Sequence, residues 1–253
     1  MVLGIDEVGR GALAGEVTIC GCLLSSNLPQ LCYKFNPKKW TPLLSSDLKL
    51  VTDSKLLTSK NREKVANLAK ACSLKFIVLS AGNNLIDEFG IGVCLSYLVS
   101  LAIFFIDVND KELKIIIDGK IKILENLDLN LLNKIYLENK PRLATSQVLM
   151  YENEIRNGQL KTNKPQLIKL LPKEVLFLTT RENKADSKYL SVAMASNLAK
   201  VSRDQQMIKI GQLYPVYNWQ QNKGYGTEEN REAIKKYPEN IYLRKTFLSR
   251  ILN

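Results

Sequence analysis

The apolar positions of this chain mark strands first, then strands alternating with helices. Residues 2–6 form a short apolar run, and residues 17–24 form a second, reached through a glycine-rich turn; both fit strands. Residues 39–50 are polar and irregular around Pro42, as a loop would be. Residues 59–72 have helical spacing, with Val65, Leu68 and Ala69 on one side and Lys60, Arg62 and Lys64 exposed. A third strand is predicted at 76–79 and an apolar helix over 86–106. Ile115-Ile116-Ile117-Asp118 reads as a buried, β-branched fourth strand ending on a carboxylate. A fifth strand is predicted at 175–178. Asp186 then opens an amphipathic helix, because Leu190, Met194, Leu198 and Val201 recur at steps of three and four, with Lys200 and Arg203 among its polar positions. Residues 214–225 read as a polar loop rich in aromatics, 228–236 as a Glu/Lys helix, and the remainder as a basic tail with Phe247. The Lys/Asn-rich stretch 126–173 has no repeat and no assignable elements. The whole fits an α/β domain with a mixed sheet over 1–210, carrying 126–173 as an insertion, then a smaller helical part over 211–253.

Charge and composition narrow the chemistry. Thirty-six basic residues against 25 acidic ones leave a net charge of +11, which points to a polyanionic partner, nucleic acid first. The chain of 253 residues has no histidine, which removes Ser-His and Cys-His triads, histidine metal ligands and histidine bases together. The five cysteines are odd in number and lack Cys-x-x-Cys spacing, so neither a disulfide framework nor a zinc site is expected. Cys20 and Cys22 would share one strand face as small buried hydrophobes. The apolar run 91–106 is shorter than the ~20 residues of a membrane span, and the first strand begins at once, so a cytoplasmic protein without a membrane segment is expected.

What remains for catalysis is carboxylates. Asp6 and Glu7 end the first strand inside Gly4-Ile5-Asp6-Glu7-Val8-Gly9-Arg10-Gly11. Two adjacent carboxylates in an apolar context repel unless a cation bridges them. The glycines let backbone N–H groups approach an anion, and Arg10 adds a positive fork. With Asp118 and Asp186, these groups could hold two Mg²⁺-like ions for in-line attack at a phosphate. Taken singly, Asp186 reads as a helix cap and Asp118 as a turn residue; the four together read as a metal site. Lys55 in Asp53-Ser54-Lys55 either meets a phosphate or follows a capping Asp53. Tyr225, between glycines and beside Lys223, either stacks on a sugar or base or packs in an ordinary turn. Tyr214, Tyr217 and Trp219 read as core or support.

These segments resemble the ribonuclease HII family, in its order. The N-terminal run 4–11, Asp53-Ser54-Lys55-Leu56-Leu57, Ile117-Asp118-Gly119, the long segment from Lys184 to Asp204, Lys223-Gly224-Tyr225-Gly226-Thr227 and Arg244-Lys245-Thr246-Phe247 carry the likeness over nearly the whole chain. The resemblance implies an RNase H-like fold, a five-stranded mixed sheet flanked by helices, with a small C-terminal substrate-binding region. It implies cleavage, dependent on Mg²⁺ or Mn²⁺, of the RNA strand of RNA–DNA hybrids. Single ribonucleotides in duplex DNA would also be cut, on their 5′ side, leaving 3′-OH and 5′-phosphate ends. By position, Asp6, Glu7, Asp118 and Asp186 are its catalytic, metal-binding carboxylates. Gly9, Arg10, Gly11, Lys55 and Tyr225 are its substrate contacts: loop amides on the 2′-OH, and the ring on the next deoxyribose. A monomer is expected.

The chain departs from the family pattern at several positions. Ala12 and Glu16 replace prolines, and Glu16 is expected to put negative charge near the cradle and weaken phosphate binding. Leu243 replaces a histidine before the terminal Arg. Gly90 and Leu95 stand where Asn and Thr are usual, and Asn197 where an apolar residue is common. The stretch between Asp118 and Asp186 is longer than usual for bacterial members. These departures motivate an alternative, a basic nucleic-acid-binding protein of the same fold with weak or absent catalysis. The sister ribonuclease HIII type is disfavoured, because its extra N-terminal domain has no room before residue 2.

Overall fold

The computed structural model of the protein describes residues 1–26, 28, 51, 54, 57–106, 113–124, 126–128, 131, 134–135, 167–169 and 179–252. Five strands form the main sheet: β1 (Val2–Val8), β2 (Val17–Leu24), β3 (Lys75–Ala81), β4 (Lys114–Asp118) and β7 (Thr179–Glu182), in the order β3-β2-β1-β4-β7. A separate two-stranded sheet pairs β5 (Asn126–Asp128) with β6 (Leu167–Lys169) inside the Lys/Asn-rich stretch. In the main sheet β1 pairs antiparallel with β2 and parallel with β4, and β4 pairs parallel with β7. The carboxyl ends of β1, β4 and β7 therefore meet at one edge, where open α/β sheets place their ligand sites. The fifth strand begins at Thr179; the predicted strand at 175–178 and the predicted loop at 39–50 lie outside the described residues.

Strand alternation divides the core into two layers. Leu3, Ile5, Val17, Ile19, Leu79, Ile115 and Ile117 face helices α2 (Asn83–Phe89) and α3 (Ile91–Ile106). Cys20, Cys22 and Leu24 face the other way, against α1 (Ser59–Cys72) and α4 (Leu190–Leu213). Both cysteines are buried and free, in the role expected of them.

Two helix predictions are corrected. The helix expected over 86–106 is two helices that meet at 113°, because Gly90 (φ 81°, ψ 147°) leaves the helical region. No single described helix is long and apolar enough to cross a membrane. The long C-terminal helix begins at Leu190, and Asp186 lies before it in a 3-10 turn, Ala185–Ser187. Nor is α4 amphipathic along its length. Leu190 to Ala199 are buried all round, because this half is enclosed between β1, β2 and α1.

The aromatic stretch 214–225 is a 3-10 turn (Pro215–Tyr217) and a short helix, α5 (Trp219–Asn222), rather than a loop. Tyr217 stacks on the buried Trp219 at 4.3 Å, which confirms both as core. With Met207, Ile210, Leu243 and Leu248 they form a third cluster that also takes in Ala14, so the C-terminal part and the glycine-rich loop share one core. Helices α6 (Glu228–Lys236) and α7 (Lys245–Leu252) complete the chain.

Helix α4 touches β1 at Gly4. A Cβ there would stand 2.3 Å from the Ser191 carbonyl carbon and the Val192 nitrogen, both backbone atoms. Gly4→Ala must therefore push the helix off the strand that carries Asp6. We expect a loss of about 3 kcal/mol of unfolding free energy, read as a lower urea midpoint. A change within the ±0.5 kcal/mol typical of neutral surface substitutions would contradict this close approach.

Candidate active site

Asp6 and Glu7 end β1, and Asp118 ends the neighbouring parallel strand β4, one residue beyond the Ile5–Ile117 pair. Ligand oxygens of the three lie within 4.8 Å of one another. Asp118 Oδ1 accepts from the Ala185 N–H at 2.7 Å, which draws in the turn carrying Asp186. Asp186 stands outside the 4.8 Å set, is buried, and lies close enough for its charge to act on Asp6. The structure thus brings three of the four carboxylates singled out in the sequence within ligand distance and places the fourth, Asp186, near enough to act on Asp6 by its charge.

Their electrostatics are unfavourable without a cation. Burial, then Glu7, then Asp118 and Asp186 push the Asp6 carboxyl well above its ordinary value, and a hydrogen bond from Ser196 opposes this only in part. Burial and then Asp118 push Glu7 up, against the pull of Arg10, which stands 3.6 Å away. Glu7 Oε2 is buried with no hydrogen-bond partner. An orphaned carboxylate oxygen among like charges, with two further carboxylates within ligand distance, fits a hard divalent ion. Asp6, Glu7, Asp118 and Asp186 are the residues that would hold it.

Several supports escaped the sequence reading. The Ser196 hydroxyl that bonds Asp6 lies 2.9 Å from the Ser54 hydroxyl, and the Ser54 carbonyl accepts from Arg62 Nη1 at 3.0 Å. A hydrogen-bonded relay thus runs from the carboxylates to a cation on α1. Lys55, beside Ser54, lies outside the described residues, as does Asp53. Glu182, the register partner of Asp118, is a fifth carboxylate at this edge. The Lys188 ammonium and the Tyr189 hydroxyl hold it, and their hydrogen bonds lower its pKa. Nothing in the sequence pattern separates it from the exposed acids.

The loop 9–16 borders the carboxylates. Arg10 and Gly11 are exposed, and their backbone N–H groups have no partner among the described residues. Leu13 N–H donates to the Gly224 carbonyl at 2.7 Å, tying the loop to the turn of Tyr225. Asn230 fixes that turn: it accepts from Trp219 Nε1 at 3.0 Å and donates to the Tyr225 carbonyl at 2.8 Å. The Tyr225 ring is half-buried, with Lys200 Nζ 5.6 Å and the Arg203 guanidinium 5.3 Å from its centre. Arg203, expected among the polar positions of its helix, is fully buried. Glu16 turns its carboxylate into the sheet, where Oε1 accepts from Thr18 and Ser80.

Sequence and fold are both similar to those of known proteins. The family model for ribonuclease HII matches residues 3–250. The ribonuclease HII of Flavobacterium psychrophilum is 32% identical over 245 residues, 96% of this chain and 89% of that protein. Among solved structures, the PCNA:RNase HII complex from Archaeoglobus fulgidus superposes with a TM-score of 0.60 at 20% identity, over 100% of this chain and 97% of that one. Bst-RNase HIII in complex with Mn²⁺ gives a TM-score of 0.55 at 14% identity, over 97% of this chain and 64% of that one.

The charge balance has a measurable consequence. Asp6 and Glu7 have raised values in the folded state, so their contribution to stability is present at low pH and is lost as pH rises through those values. The metal-free protein is expected to lose melting temperature above the ordinary carboxylate range. Millimolar Mn²⁺ should restore it by a larger margin at mildly alkaline than at mildly acid pH. Thermal melts of wild type and Asp6→Asn check this; a metal effect equal at both pH values, or undiminished by the substitution, would count against the site.

Proposed function

The chain belongs to the ribonuclease HII family, whose members are endonucleases that hydrolyse RNA in RNA–DNA hybrids, and from that premise we propose how its own residues serve the reaction. The substrates are the RNA strand of hybrids and single ribonucleotides in duplex DNA. Cleavage falls on the 5′ side of the ribonucleotide and leaves 3′-OH and 5′-phosphate ends. The observation that carries the reading is the convergence of Asp6, Glu7, Asp118 and Asp186 at one sheet edge, next to a loop with two outward amides.

Two bound Mg²⁺ or Mn²⁺ ions would supply Lewis acidity for in-line attack of water at phosphorus and for the charge on the departing 3′ oxygen. The protein's own groups do the rest. Ser196 and Ser54 hold the Asp6 carboxylate in orientation, and the Ala185 N–H does the same for Asp118. The Arg10 and Gly11 amides donate to the ribose 2′-OH, a group deoxyribose lacks. The Tyr225 ring lies against the following deoxyribose, and Lys200 beside it draws in the backbone phosphates. The C-terminal part, 211–253, presents that ring and so serves as the substrate-binding extension.

A duplex DNA carrying one ribonucleotide, incubated with Mg²⁺ or Mn²⁺, tests the proposal. Asp118→Asn keeps an oxygen that accepts from Ala185 N–H and removes the charge. Its kcat/KM should fall at least about 100-fold with the melting temperature nearly unchanged. Cleavage as fast as wild type would sink the carboxylate assignment. Tight, salt-sensitive hybrid binding by the wild type without turnover would favour a binding protein instead.

A further inference from the structure

The loop between β1 and β2 is turned inside out by two buried arginines. Arg203, from α4, donates Nε to the Glu16 carbonyl at 2.8 Å and Nη2 to the Ala14 carbonyl at 3.1 Å. Arg244, from the C-terminal segment, donates Nε to the Gly15 carbonyl at 2.9 Å and Nη1 to the Arg10 and Ala12 carbonyls at 3.1 and 2.9 Å. The Leu13 carbonyl accepts the Arg244 N–H, and the Gly9 carbonyl accepts the Ala12 N–H. Both guanidiniums are fully buried, and among the described residues their bonds end on main-chain carbonyls, with Arg244 Nη2 left without a partner.

A planar trans peptide points its N–H opposite its C=O. Arg244 holds the Arg10 carbonyl and the loop's own Ala12 N–H holds the Gly9 carbonyl, so the N–H groups of Gly11 and Arg10 are directed away from those partners, and neither has a protein partner among the described residues. Gly9 fits this arrangement: at φ 85°, a Cβ would lie 2.1 Å from Arg203 Nε. Arg203 also reaches the other recognition element. Its Nη1 donates to the Lys223 carbonyl at 3.0 Å, and its guanidinium faces the Tyr225 ring. One rigid fork thus spans the loop and the ring. Arg244 is held from outside, by α2. Asn83 Nδ2 donates to the Ile241 and Leu243 carbonyls, and Asp87 accepts from the Lys245 and Thr246 N–H groups at 2.9 and 3.0 Å.

We infer that Arg203 and Arg244 are positioning residues for ribose recognition: Arg244 holds the Arg10 carbonyl inward and so faces the Gly11 amide outward, and Arg203 ties the end of the loop to the turn that carries Tyr225, which sets the distance between loop and ring. The inference deepens the proposed reading of the ribonucleotide–deoxyribonucleotide junction and rests on it. Arg244→Lys keeps the charge, but a compact ammonium cannot span three carbonyls. Asp87→Ala leaves both arginines in place and loosens the segment that delivers Arg244.

The test compares kcat/KM on duplex DNA containing one ribonucleotide with kcat/KM on a continuous RNA–DNA hybrid, alongside the Mn²⁺-induced rise in melting temperature. For Arg244→Lys the ratio of the two substrates is expected to fall about tenfold, with the Mn²⁺ effect retained. Asp87→Ala should shift the ratio the same way by less, and it decides the matter alone should the lysine variant not fold. Variants that lose both activities in proportion, leaving the ratio at the wild-type value, overturn the inference while the functional reading stands. A wild type that cleaves neither substrate overturns the functional reading and this inference with it.

Discussion

The mutual repulsion of buried carboxylates is the constraint around which this protein is arranged. Asp6, Glu7 and Asp118 crowd within 4.8 Å at the ends of two parallel strands, where burial already disfavours the charge on Asp6 and Glu7. Left to themselves they would separate. The β1–β4 ladder fixes their spacing, Ala185 N–H and Ser196 fix their orientation, and α4 presses on β1 at Gly4 so that the strand end cannot retreat. The energetic strain is local, and the parts that hold it come from three segments remote in sequence. Cations relieve it, so the same geometry that costs stability creates affinity for metal.

A negative cluster is a poor place to bring a polyanion, and the second half of the architecture answers this. The surroundings are basic: Arg10 beside Glu7, Arg62 at the end of the serine relay, Lys200 and Arg203 at the Tyr225 ring. Two of the positive charges, Arg203 and Arg244, are buried and spent on carbonyls. Burial and the neighbouring Arg203 bring Arg244 down to about 9. Their benefit to the site is indirect, since donors that would otherwise fold inward are left facing out. An amide has no rotamer, so its direction is set by the chain alone.

How much of this was legible in the sequence depended on whether an element's environment has two sides. α1 was placed to the residue because its one buried face shows in its pattern; β2, buried throughout, was placed because its apolar run is short and sharply bounded. α4 was misread as amphipathic because its first half is enclosed on every side, and small residues such as Ala193, Ala195 and Ala199 carry no period. The bend at Gly90 was missed because apolar residues continue on both sides of it. Asp6 and Glu7 stood out because adjacent acids at the end of an apolar strand repel each other unless a cation joins them, whereas Asp118 and Asp186, read singly, looked like a turn residue and a helix cap. Arg203 and Arg244 were not, since a charged residue in a helix or tail reads as solvated, and only the tertiary structure shows the carbonyls that bury it.

The family departures at Glu16 and Leu243 make sense on the same terms. Glu16 was expected to oppose phosphate binding from near the cradle. Its carboxylate is instead turned into the sheet against Thr18 and Ser80, away from the exposed Arg10 and Gly11. From there its charge acts on Arg203: burial pulls that guanidinium down, and Tyr225, Asp204 and Glu16 oppose the pull. Leu243 forms a bridge with Ala14 and is buried in the C-terminal core, so an apolar residue suffices to seat the next one, Arg244, under the loop. Both positions therefore bear on the two arginines rather than on the substrate.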